Sequence, residues 1–158
     1  MEEHNGWMKL AIREAEKALS AHEVPVGAVV VHKGAIVGRG HNQVESLQDP
    51  TAHAEMIAIS AAADTLGSWR LEDCTLYVTL EPCTMCAGAI VLSRIQTLVI
   101  GTMDPKAGAC GSLRNVVQDH RLNHNVQIIS DVLGSTCSRM LKAFFREIRT
   151  TSKDDIDA

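Results

Sequence analysis

Hydrophobic positions recur along this chain with two periods, and the switches between them lay out its elements. Over residues 3–20, Trp7, Met8, Ala11, Ala15, Ala18 and Leu19 fall three and four apart, which predicts an amphipathic helix. Residues 26–31 and 35–40 form apolar runs on either side of His32-Lys33-Gly34, the pattern of a hairpin. An alanine-rich stretch, 52–63, lacks glycine and proline and follows the breaker Asp49-Pro50-Thr51, so a second helix is expected there. Residues 75–79 read as a strand, and Pro82 then opens a helix over 82–93, since proline suits a helix's first turn. Strands at 97–101 and 126–129 and a closing helix over 135–149 complete the series. Strands alternating with helices predict an α/β protein folded as a three-layer α/β/α sandwich.

No internal repeat or low-complexity linker interrupts this order. One domain over 1–150 is expected, with a short unstructured tail at 151–158. A chain of 158 residues is one domain's worth and can bury about 70% of its unfolded surface. With 46% apolar and 22% charged residues, its composition excludes a disordered protein. The longest apolar runs, 25–31 and 87–92, fall far short of the roughly 20 residues a membrane helix needs. The acidic start, Met1-Glu2-Glu3, lacks the basic-then-apolar order of a signal peptide, so a cytoplasmic protein with no membrane partner is expected.

The net charge of −4 does not suggest a nucleic-acid partner, but the distribution does. Residues 139–153 hold five cations (Arg139, Lys142, Arg146, Arg149, Lys153) against one acid, Glu147, while the rest carries ten basic and eighteen acidic residues. On a helix those five fall within one stripe of roughly 80°, opposite Cys137, Met140, Leu141, Phe144 and Ile148. A one-signed stripe on an acidic body predicts a phosphate-facing surface, with Lys142 and Arg149 among its contacts. Phe145, at the stripe's edge, is placed to stack on an unpaired base.

Two short motifs carry the candidate chemistry. His53-Ala54-Glu55 and Pro82-Cys83-Thr84-Met85-Cys86 each fall at an expected helix start. Five cysteines, an odd number with no export signal, argue against a disulfide scaffold and leave Cys83-x-x-Cys86 as metal, redox pair or coincidence. With His53 added, one imidazole and two thiolates suit zinc and leave its fourth position open, as in catalytic sites. Helix starts also favour the thiolate form that binds metal. Glu55, two residues beyond His53, points to another side of the helix, a place for a proton carrier rather than a ligand. Cys74 and Cys137 read as small buried hydrophobes, Trp7, Trp69 and Tyr77 as core or interface anchors, and His4 as a surface residue.

His-x-Glu with Pro-Cys-x-x-Cys is the known signature of zinc deaminases acting on nucleobases. The stretches Gly40-His41-Asn42, Asp49 to Glu55 and Thr75 to Ile90 closely resemble the bacterial tRNA-specific adenosine deaminases. So do Ser93-Arg94-Ile95, Asp104-Pro105-Lys106, Gly111-Ser112-Leu113, Leu122-Asn123-His124 and Phe144-Phe145-Arg146, and together these segments span nearly the whole chain. Thr84, where the family often has valine, and Thr102-Met103 depart from the pattern.

The resemblance implies a five-stranded mixed sheet with helices on both faces, a homodimer, and one zinc per subunit. His53, Cys83 and Cys86 would hold the metal, Glu55 would move protons, and Asn42 would hydrogen-bond the target nucleoside. Asp104, Lys106 and the last helix would meet a tRNA anticodon stem-loop; DNA is not expected as a partner. The implied reaction is hydrolysis of the wobble adenosine of an arginine tRNA to inosine, with release of ammonia. A free nucleobase or nucleoside deaminase for guanine or cytidine would keep the zinc motif without using the basic stripe. A zinc-stabilised RNA-binding module would have no use for Glu55.

Overall fold

The structure, a computed structural model, describes the backbone of residues 1–157 and the side chains of residues 1–151. Helix α1, Glu2–Ser20, buries Met8, Ala11, Ile12, Ala15 and Ala18, the three- and four-residue spacing its sequence shows. Strands β1, Gly27–His32, and β2, Ala35–His41, form the expected hairpin. Its two-residue turn has φ +50° at Lys33 and +74° at Gly34, the mirror-image turn whose twist matches paired strands. The short helix α2, Val44–Leu47, leads to α3, Ala54–Leu66. Strand β3, Cys74–Leu80, is followed by α4, Thr84–Leu92, and β4, Thr97–Thr102. A 3₁₀ turn at Val116–Gln118, strand β5, Gln127–Ile129, and helix α5, Gly134–Asp157, complete the chain.

The five strands form one mixed sheet in the order β2-β1-β3-β4-β5. β1 is antiparallel to both β2 and β3, whereas β3, β4 and β5 are parallel, each linked by a crossover. Alanines of α3 and apolar residues of α4, Ala87, Ile90 and Val91, pack on one face with Val30, Leu76, Val78 and Leu98. On the other face Met8 and Ile12 of α1 and Cys137 of α5 pack with Val29, Tyr77 and Val99. This is the expected three-layer α/β/α sandwich. Among the described residues no helix is long and apolar enough to cross a membrane.

Two elements escaped the sequence reading: α2 and the 3₁₀ turn are too short to show a period. The backbone of α5 runs on to Asp157, past the helix end expected at 149 and into the stretch expected as an unstructured tail at 151–158. The side chains from Ser152 onward, with Lys153 of the basic stripe among them, and all of Ala158 lie outside the described residues.

Candidate active site

Strand register brings the two motifs together. Ala28 in β1 pairs with Gly40 on one side and with Val78 on the other, so β2 and β3 end nearly level. α3 can start close against β2 because Gly40 has no side chain: a Cβ there would lie 2.3 Å from the Ala54 carbonyl oxygen. His53 is the N-cap residue of α3 and Cys83 that of α4, both with extended backbone, and Cys86 lies in the first turn of α4.

His53 Nδ1 lies 3.5 Å from Cys83 Sγ and 3.5 Å from Cys86 Sγ. The three donor atoms lie within 4.8 Å of one another and could hold a metal ion. A tetrahedral centre with zinc–sulfur bonds of about 2.3 Å and a zinc–nitrogen bond of about 2.0 Å has nitrogen–sulfur edges of about 3.5 Å. The donors therefore fit zinc in kind and in spacing. Among the described residues no fourth histidine, cysteine or carboxylate joins them.

The electrostatics set the two thiols apart. A hydrogen bond from the Cys86 thiol, with help from the Cys86 and Met85 amides and His53, outweighs burial and pulls Cys83 down to about 5. Its neighbour Cys86 is pushed up, first by sharing that hydrogen bond and then by burial. Glu55, in the first turn of α3, is 4% exposed, and burial pushes its carboxyl up to about 7.

These groups open onto a cleft of ≈ 750 Å³, lined by His53, Glu55 and Cys83, by Val26, Asn42 and Leu80, and by Asp104 and Ala107. Its outer wall is Phe144, Phe145 and Ile148 of α5. The volume lies within the range of roughly 300–1,000 Å³ found for small-molecule pockets. The Asn42 side chain is steadied at both ends, donating to the Val24 carbonyl at 3.3 Å and accepting from the Val44 N–H at 3.2 Å. Asp104 Oδ1 accepts from the N–H groups of Lys106 and Ala107 at 3.0 and 3.3 Å.

Not every candidate reaches the cleft. Lys106 is exposed and outside its lining, and Lys142 lines a separate, shallow cleft with Asp131, Ser135 and Arg139. Arg149 is exposed, its Nε donating to the Phe145 carbonyl at 3.3 Å. Phe144 is 6% exposed and Phe145 44%, their rings edge to face at 5.4 Å. Ile148, expected on the docking face of the last helix, is 47% exposed at the rim, because α5 there runs beyond the sheet's cover.

One minor expectation narrows and another changes. Of the two places expected for Trp69, core or interface, the core is excluded: it is 62% exposed, with the Arg70 guanidinium over its ring at 5.2 Å. His4 is half-buried, its Nδ1 2.8 Å from the Tyr77 hydroxyl, because α1 lies across the sheet at that point. The sequence reading missed Glu23 and Glu81, both buried acids near the cleft. A lone acid beside apolar residues gives no signal of burial when its partners lie elsewhere in the chain.

Fold and site together define a deaminase. A family model described as MafB19-like deaminase matches residues 2–149. The tRNA-specific adenosine deaminase of Bacillus subtilis (strain 168) is 54% identical over 147 residues, covering 93% of this chain and 91% of that protein. A chain solved in structural work on A-to-I editing by tRNA:A34 deaminases at the wobble position superposes with a TM-score of 0.83 at 42% identity. That match covers 86% of this chain and 99% of the other. A guanine deaminase structure from Bacillus subtilis matches with a TM-score of 0.61 at 41% identity, over 63% of this chain and 64% of that one. The chain belongs to the family of tRNA-specific adenosine deaminases.

Proposed function

We propose that the protein hydrolyses adenosine to inosine at the wobble position of a tRNA anticodon, that of an arginine tRNA by its family, using one zinc ion per subunit. One observation carries this reading: His53, Cys83 and Cys86 form a zinc-sized donor triangle beside the buried carboxyl of Glu55, at the cleft wall. Zinc held by these three residues supplies the Lewis acidity that makes water a nucleophile at neutral pH. Glu55 carries the protons. With its carboxyl near 7 it can take a proton and give one up at physiological pH. It takes a proton from the attacking water and delivers it to N1 of adenine as the oxygen bonds to C6. It then takes the proton of the new C6 hydroxyl and passes it to the amino nitrogen as the C6–N bond breaks and the C6 carbonyl forms. Ammonia leaves and inosine remains.

Asn42 faces the nucleoside and Asp104 the neighbouring part of the anticodon loop, both from the cleft wall. The reacting base must leave its stack, which costs least in single-stranded RNA, and the exposed ring of Phe145 offers a base a surface to stack on. Lys106, Lys142 and Arg149, outside the cleft, complete the RNA contacts as phosphate partners. The family resemblance supports a homodimer in the cytoplasm. The likeness to guanine deaminase favours, as a second reading, a deaminase of free purines. Incubating the zinc-loaded protein separately with an anticodon stem-loop, with adenosine and with guanine, while measuring ammonia, separates the two. Release from the stem-loop alone is the expected result; release from guanine alone would overturn the proposal.

A further inference from the structure

Just beyond β3, Glu81 is a carboxylate only 2% exposed. No lysine, arginine or histidine among the described residues lies within ion-pair distance of it. An anion buried without a counter-ion is costly unless its lone pairs are met, and here one loop meets them. Oε1 accepts from the Asp104 N–H at 2.9 Å and from the Ser112 hydroxyl. Oε2 accepts from the Cys110 N–H at 3.0 Å and the Ser112 N–H at 2.9 Å. The next residue joins the same structure, since the Pro82 carbonyl accepts from the Ala109 N–H at 2.9 Å. Gly108 makes the approach possible: a Cβ there would fall 2.2 Å from the Glu81 carboxyl carbon.

Stability alone would explain a buried acid of this kind. Its place in the chain adds a second consequence. The loop wrapped around it supplies Asp104 and Ala107 to the cleft wall, and Glu81 itself stands two residues before Cys83. One side chain thus ties the substrate-facing loop to the turn that presents a candidate metal ligand.

We infer that Glu81 is a positioning residue: by gathering the amides of Asp104, Cys110 and Ser112 it fixes the 104–112 loop as one wall of the substrate cleft. The inference takes its substrate from the tRNA-deaminase reading and its geometry from the hydrogen bonds alone. Glutamine cannot replace the acid. Whichever oxygen becomes the amide nitrogen, its N–H groups meet at least one backbone N–H that cannot turn away.

The test compares wild type, Glu81→Gln and Gly108→Ala, all loaded with zinc, the second variant pushing on the same contact from the loop side. Three quantities are read: zinc content, hydrogen exchange at the amides of Asp104, Cys110 and Ser112, and KM and kcat with an anticodon stem-loop. In both variants the three amides should exchange faster while one zinc per chain is kept. KM should rise about tenfold with kcat changed less than about threefold, a split that general loss of stability would not produce. Protected amides in Glu81→Gln, or freed amides with an unchanged KM, would overturn the inference. So would loss of zinc, or a fall in kcat without a change in KM, since Glu81 would then act on the ligands. Should Glu81→Gln fail to fold, Gly108→Ala carries the same measurements. If wild type leaves the stem-loop untouched, the functional reading fails, and the exchange of the three amides still decides the clamp.

Discussion

Two side chains two residues apart, His53 and Glu55, are sent to different work by the geometry of a helix start. His53, as N-cap, stands outside the helix with its ring turned to the cysteines, whereas Glu55 lies in the first turn and is buried. Cys83→Ala should therefore lose zinc and turnover together, as read by metal analysis and ammonia release. Glu55→Gln should keep about one zinc per chain and lose turnover by roughly 10²–10⁴-fold, the usual worth of a general acid–base group. Near-normal turnover, or loss of the metal, would remove Glu55 from its role. These four residues are legible in the sequence because each motif is local and its spacing states its chemistry. Glu81 is not legible: its partners lie 23 to 31 residues further on, and only the folded loop brings them back.

At the scale of elements, periodicity told most where one side of a helix meets the sheet and least where the sheet runs out. Met8, Ala11 and Ala15 of α1 are buried as their spacing requires. In α5 the same logic holds for Cys137, Leu141 and Phe144 but fails at Ile148, where no strand remains to cover the helix. α2 starts on two acceptors, the local Asn42 side chain at the Val44 N–H and the distant Glu23 carboxylate, which accepts from the Glu45 N–H at 2.8 Å. The second is a tertiary contact that no local pattern announces. The exposed end of α5 is where an RNA contact should be sought. Phe145→Ala should weaken stem-loop binding by about 1–3 kcal/mol, the worth of one stacked base, at every salt concentration. Arg149→Ala should weaken it at low salt and progressively less as salt rises, because a phosphate contact releases counter-ions. A binding titration across salt distinguishes the two, and wild-type affinity in both variants would take α5 out of the interface.

For the molecule as a whole, the donor triangle is also a staple. His53 heads α3 and Cys83 and Cys86 head α4, so a metal held between them joins the starts of two helices that pack on one sheet face and touch each other there. Such a site is not expected to be assembled in the unfolded chain, so the free energy of metal binding adds to that of folding. At a free zinc concentration about 1,000 times the dissociation constant the gain is about 4 kcal/mol. For a chain of this size each kcal/mol moves Tm by about 2–4 °C, so removing zinc with a chelator should lower Tm by roughly 10 °C. The expected control is Cys83→Ala, whose Tm should sit near that of the chelated wild type and should not fall further when chelator is added. Calorimetry of the four samples, wild type and variant with and without chelator, measures this directly. A wild-type Tm unmoved by chelator, with metal analysis confirming that the zinc has gone, would mean that α3 and α4 are held by their apolar contacts alone and that the metal contributes nothing to the fold.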